Sequence, residues 1–166
     1  IGPDGVLWYS DFGGGHVYRV EGMATGVRSQ VDTSTISGAN GLAFGSDGAL
    51  YVDSYNSGRL FRLRLTNNME SSRDIVASGL GSPDGLAIDA MGRFYVTNQR
   101  ASSLIRLDAD GTNPMTLQTG IMAPANIEFG VGPLSCTDIY VASGATLVRF
   151  EMGDARGANV PWHRAP

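Results

Sequence analysis

Lysine is absent from the 166 residues, and 12 arginines stand against 16 acidic residues for a formal net charge of −4. That balance leaves no electrostatic footprint for a phosphate backbone or an anionic membrane, so neither nucleic acid nor a membrane is expected as a partner. A single cysteine, Cys136, excludes an internal disulfide and any cysteine-built metal cluster. In the run P-L-S-C-T-D-I-Y it reads as a small apolar packer. A nucleophilic thiol needs a histidine partner, and neither His16 nor His163 stands in a context that suggests one. No run of 18 apolar residues offers a helical membrane span. A composition that is 42% hydrophobic and 17% charged excludes disorder and coiled coil.

Glycine is what the chain has in excess. It takes 23 of the 166 positions while proline stays at seven, and glycine at roughly twice its usual share points to many tight turns between short strands. A repeat accounts for them. The segments L-W-Y-S-D (7–11), L-Y-V-D-S (50–54), F-Y-V-T-N (94–98) and I-Y-V-A-S (139–143) place Trp8, Tyr51, Tyr95 and Tyr140 at spacings of 43, 44 and 45 residues. Further on in each repeat comes a second alternating run: H-V-Y-R-V (16–20), R-L-F-R-L (59–63), S-L-I-R-L (103–107) and T-L-V-R-F (146–150). Within these, Arg19, Arg62, Arg106 and Arg149 recur at 43 or 44. Upstream of the aromatic run lie A-N-G-L-A-F (39–44), P-D-G-L-A-I (83–88) and P-A-N-I-E-F (124–129). Weaker fourth strands are expected at 72–77 and 115–119.

Four short strands at such a period are the signature of β-propeller blades. The chain is therefore expected to be all-β, a single partial propeller domain over 1–166 with repeats near 1–36, 37–77, 78–120 and 121–166. A lone four-stranded sheet has two apolar faces and must stack against neighbours. Gly41 and Ala43, like Gly85 and Ala87, suit the crowded axis where inner strands approach most closely. Three strands of a first blade, two whole blades and most of a fourth would expose apolar faces at both ends. The reading therefore expects a cap: chain upstream of Ile1, a second copy in a homo-oligomer, or closure into a four-bladed ring.

The stretch S-G-A-N-G-L-A-F-G-S-D-G-A-L-Y-V-D-S, with P-D-G-L-A-I-D-A-M-G-R-F-Y-V one blade later, resembles the six-bladed propellers of the gluconolactonase, regucalcin and senescence-marker-protein family. It is more distantly similar to the paraoxonases, to NHL repeats and, at W-Y-S-D (8–11), to the Y-W-T-D propellers of lipoprotein receptors. The C-terminal run from Cys136 to Gly157 is similar to the family's last blade. The resemblance implies one divalent metal, calcium above all, at the top of the central channel. It places Asn40 at a metal-ligand position and Asp84 at the position that serves both as ligand and as catalytic base. Two further family ligands, a Glu and an Asn of an N-D-G segment, correspond to positions upstream of Ile1. In the next blade Ala125 falls at the ligand position, Asn126 opposite Gly85 and Glu128 opposite Ala87. The implied function is a metal-dependent hydrolase opening lactones or related esters.

Each of these residues has a plainer reading. Asn-Gly and Asp-Gly at strand entrances are ordinary turn chemistry. Glu128 is expected to line the channel or to pair with an arginine, and the arginine ladder to snorkel or to form ion pairs between blades. Asp11 and Asp53 are expected to supply partners for arginines or to hold turns, with a place near the channel mouth as the alternative for either. Gly13, Gly14 and Gly15 read as a hairpin loop, not a phosphate cradle. His16 and His163 read as solitary, and Trp8 and Trp162 as packing residues. Two other functional readings follow: a non-catalytic NHL-like or Y-W-T-D-like module that binds protein or carbohydrate, and a half-propeller whose role is assembly.

Overall fold

A computed structural model describes residues 1–22 and 24–153 together with Ala155 and Gly157. The described chain is built from fourteen strands and contains no helix among those residues. They form four antiparallel sheets in chain order. The first comprises β1 (Trp8–Asp11), β2 (His16–Gly22) and β3 (Val27–Gln30). The second comprises β4 (Ala39–Phe44), β5 (Leu50–Ser54), β6 (Arg59–Thr66) and β7 (Met69–Ser78), and the third β8 (Pro83–Ile88), β9 (Phe94–Asn98), β10 (Ser103–Leu107) and β11 (Met115–Thr119). The last holds β12 (Pro124–Phe129), β13 (Asp138–Ser143) and β14 (Thr146–Glu151). Each sheet is an up-and-down meander, and β4, β8 and β12 lie side by side. These are consecutive blades of a partial β-propeller. The expected polar fourth strand of the last blade, with Trp162 and His163, lies outside the described residues.

The repeat seen in the sequence is a register. Trp8 pairs with Arg19, Tyr51 with Arg62, Tyr95 with Arg106 and Tyr140 with Arg149, so every blade sets the same aromatic opposite the same arginine. Burial follows the alternation of the strands and closes between blades. One apolar cluster joins Trp8 and Val17 to Leu50 and Val52, a second joins Leu60 to Leu86 and Phe94, and a third joins Tyr95 and Leu104 to Ile127 and Ile139. Aromatic pairs bridge each seam: Trp8 meets Phe44 at 5.2 Å, Tyr51 meets Phe94 at 5.0 Å and Tyr95 meets Phe129 at 5.3 Å between ring centroids. Edge-on pairs of this kind stabilise beyond their buried area by about 0.5–1.5 kcal/mol. A blade is thus held by its neighbours as well as by its own strand pairing.

Several expectations are corrected by the coordinates. The arginines pair within their own blades: Arg19 with Asp4 and Glu21, Arg62 with Asp47, and Arg149 with Asp138 and Glu151. The cause is local, since a turn aspartate such as Asp47 lies directly beside the hairpin that carries the arginine, and its carboxylate also accepts from Tyr51 Oη at 3.1 Å. In the third blade that turn position is Met91, and the Nε of Arg106 is left buried without a partner. Cys136 is exposed instead of packed, because it stands in the loop before β13. His16 is not solitary, for its Nδ1 lies 2.8 Å from the carboxylate of buried Asp32.

Candidate active site

The inner strands do not pair regularly along their length. In β4 the register shifts between Ala39 and Leu42, in β8 between Pro83 and Leu86, and in β12 between Pro124 and Ile127. The two residues inside each irregularity are Asn40-Gly41, Asp84-Gly85 and Ala125-Asn126. Such bulges free a pair of residues from the ladder and re-aim a side chain. Here they turn Asn40 and Asp84, one blade apart, toward the same place.

The side chains of Asn40 and Asp84 face each other closely enough to interact. Both are half-buried, open enough to meet a small molecule. Burial raises the Asp84 carboxyl above the ordinary aspartate value, and the Asn40 amide opposes the rise. A carboxylate that is partly desolvated beside one amide is suited to accept a proton.

The freed backbone amides find side-chain acceptors on the neighbouring strand. Gly41 N–H donates to Asp53 Oδ1 at 3.0 Å, and at the same place in the next blade Gly85 N–H donates to Thr97 Oγ1 at 2.8 Å. Thr97 passes its own hydroxyl proton on to the Ala125 carbonyl at 2.5 Å, and Ser10, the equivalent residue of the first blade, donates to the Asn40 carbonyl at 2.7 Å. Asp53 cannot do this as a carboxylate. Its residue is fully buried, its Oδ2 has no partner, and burial pushes its carboxyl up to about 8, with the charge of Asp84 adding to the rise and the Gly41 amide opposing it. Asp53 therefore neither holds a turn nor serves an arginine; of the expected places it takes the one beside the channel. Asp11 does hold its turn, accepting from Gly14 N–H at 2.9 Å.

Glycine at 41 and 85 is a steric requirement. A Cβ on Gly41 would stand 2.7 Å from the Leu86 nitrogen, and one on Gly85 would stand 2.5 Å from the Ala125 oxygen and 2.8 Å from the Asn126 Cα. The blades nest backbone to backbone at the level of Asn40 and Asp84. Glu128 on β12 is open to solvent, yet the protein around it raises its carboxyl above the ordinary glutamate value; its Oε1 accepts from Phe129 N–H at 2.9 Å, and it forms no ion pair with an arginine among the described residues.

Asn40 and Asp84 offer hard oxygen donors that converge, the donor type that calcium or magnesium takes. They fit such a cation in kind and supply two of the roughly six to eight oxygens that calcium requires. Among the described residues no group of three or more His, Cys, Asp or Glu side chains could hold a metal ion.

Comparison with known proteins gives the family and the fold. A family model described as the SMP-30/Gluconolactonase/LRE-like region matches residues 2–145. A 6-deoxy-6-sulfogluconolactonase of Pseudomonas putida is 29% identical over 133 residues, which cover 76% of this chain and 45% of that protein. Among solved structures, a luciferin-regenerating enzyme superimposes with a TM-score of 0.77 at 20% identity, over 96% of this chain and 62% of that one. Regucalcin of Agrobacterium tumefaciens, described as a calcium-binding protein, superimposes with a TM-score of 0.73 at 21% identity, over 99% and 63%. At these identities the structural likenesses establish the fold. The chain spans about half the length of the curated relative it matches.

Proposed function

The chain belongs to the SMP-30/gluconolactonase/LRE-like family, and from that premise we propose that it is the part of a propeller hydrolase that carries the proton acceptor for opening a lactone or a related ester. The observation that carries this reading is the meeting of Asn40 and Asp84 across two blades, each aimed by its own bulge. The substrate class comes to this chain from the gluconolactonase relatives.

In this reading Asp84 accepts a proton from the water that attacks the lactone carbonyl. The C–O bond of the ring then breaks, and the same proton serves the departing alkoxide, so that one water is consumed and a hydroxy acid is released. Asn40 orients the Asp84 carboxylate and favours its charged form. A divalent cation bound by Asn40, Asp84 and donors beyond these two would polarise the carbonyl as a Lewis acid. The remaining donors come from further blades or from a second copy of the chain, either of which also covers the outer faces of the first and last sheets.

Hydrolysis of D-glucono-1,5-lactone by the full chain, in the assembly it forms and with calcium present, tests the reading. Asp84→Asn is expected to lower kcat by about 100-fold or more, the usual contribution of a positioned general base. Unchanged turnover overturns it in favour of a propeller that binds without catalysing.

A further inference from the structure

The turn that follows the second strand of each blade carries an equivalent residue around the mouth of the channel: Phe12, Tyr55 and Gln99, spaced 43 and 44 apart. These residue types differ, so no motif announces them, yet they form a continuous chain across three blades. Phe12 meets Tyr55 edge-on at 5.5 Å between centroids, and Tyr55 Oη donates to Gln99 Oε1 at 2.8 Å. Their backbones are tied to the strands that carry the candidate site. Tyr55 N–H donates to the Gly38 carbonyl at 2.9 Å, two residues before Asn40, and Gln99 N–H donates to the Ser82 carbonyl at 3.0 Å, two residues before Asp84. Asn98 fixes the same loop, its Oδ1 accepting from Ser82 N–H and Ala101 N–H and its Nδ2 donating to the Leu80 carbonyl.

Arg100 stands on this framework. Its guanidinium lies over the Tyr55 ring, 5.7 Å from the centroid, and the residue is exposed. The contrast with other arginines is chemical. Arg19, Arg62, Arg64, Arg73, Arg93 and Arg149 each hold a carboxylate, whereas Arg100, like Arg28 over Tyr18, meets the face of a tyrosine and no carboxylate among the described residues, and of the two only Arg100 stands on the framework that carries Asn40 and Asp84. A cation over an aromatic face is positioned without being neutralised, and a guanidinium leaves its forked edge free for an oxyanion. Phe12 is 49% exposed beside it, an apolar surface at the same rim. The Asp84 carboxylate would repel an anionic substrate, so such a substrate needs a fixed positive group at the mouth.

We propose that Phe12, Tyr55 and Arg100 form the specificity rim of the site, with Arg100 receiving an anionic substituent of the lactone and the two aromatic rings packing against its carbon skeleton. The preferred substrate class is thereby an aldonolactone bearing a carboxylate, sulfonate or phosphate on the carbon remote from the carbonyl. This rests on the lactone-hydrolase reading above.

The test compares kcat/KM for D-glucaro-1,4-lactone, which carries a carboxylate, with D-galactono-1,4-lactone, which is neutral and has the same ring size. Wild type, Arg100→Gln and Tyr55→Leu are assayed as full chains shown folded by circular dichroism. Wild type is expected to favour the anionic lactone, and Arg100→Gln to lower the anionic-to-neutral ratio by about tenfold or more, chiefly through KM, as loss of a charge-assisted hydrogen bond does. Tyr55→Leu is expected to lower the ratio in the same direction, and added salt to weaken it in wild type. A ratio that Arg100→Gln leaves unchanged while both lactones are opened overturns the rim and spares the hydrolase reading. Failure of wild type to open either lactone overturns both.

Discussion

Asp53 accepts the amide of Gly41 with one carboxylate oxygen and presents the other to no partner, although Thr97, its counterpart one blade on, uses a single hydroxyl both to accept from Gly85 and to donate to Ala125. A carboxyl group in the place of a hydroxyl can complete the same pattern only while it holds a proton.

Stability should therefore fall with rising pH. The Asp53 carboxyl is pushed up to about 8 in the folded chain, against roughly 3.9 when unfolded. Below the lower value both states carry the proton and the contribution is constant. Between the two values the unfolded chain releases a proton that the native chain keeps, so stability declines by at most roughly 1.4 kcal/mol per pH unit and levels off above about 8. Urea denaturation of chelator-treated protein from pH 5 to 8 checks this. Asp53→Asn should flatten the decline, and an equally steep curve in that variant would assign it to another group.

The glycines of the bulges should be costly to replace. Gly85→Ala drives a methyl into the backbone of β12 and is expected to cost about 3 kcal/mol. Gly79→Ala, at φ 75° with open space around it, should cost only about 1 kcal/mol from the left-handed backbone. Denaturation midpoints of the two variants compare them directly, and equal losses would mean that the blades can part at little cost.

Calcium should stabilise the protein through Asn40 and Asp84. At about ten times its dissociation constant a ligand adds roughly 1.4 kcal/mol to the native state, or about 3–6 °C in Tm for a domain of this size. Thermal unfolding with calcium and with chelator measures it. Asn40→Ala and Asp84→Ala should each shrink the increment, and an undiminished increment in both would place the cation elsewhere.

The strands were legible because their cause is local. Alternating apolar residues, a fixed aromatic and a fixed arginine recur in each repeat, and the structure turns that recurrence into four hairpins with one register. The convergence of Asn40 and Asp84 followed from the repeat length, since equivalent residues of neighbouring blades share a level on the axis. Asp53 was hidden because a carboxylate at a strand end looks like a turn residue, and only the bulge in β4 buries it. The arginine partners were misjudged for a similar reason: the distance between blades is invisible in a sequence, whereas the turn aspartate a few residues away settles the pairing. Phe12, Tyr55 and Gln99 share a position and no chemistry, so nothing short of coordinates joins them.

The bulge position reads Gly41, Gly85, Asn126 around the axis, and only the first two have a neighbour's backbone pressed against them. Asn126 carries a side chain where that close approach would occur, exposed and folded back so that its Oδ1 accepts from Ile127 N–H at 3.0 Å. A strand laid against β12 must stand farther off than β8 stands from β4. The backbone-on-backbone nesting that joins β4 to β8 and β8 to β12 is therefore closed to a strand laid against β12 at this level.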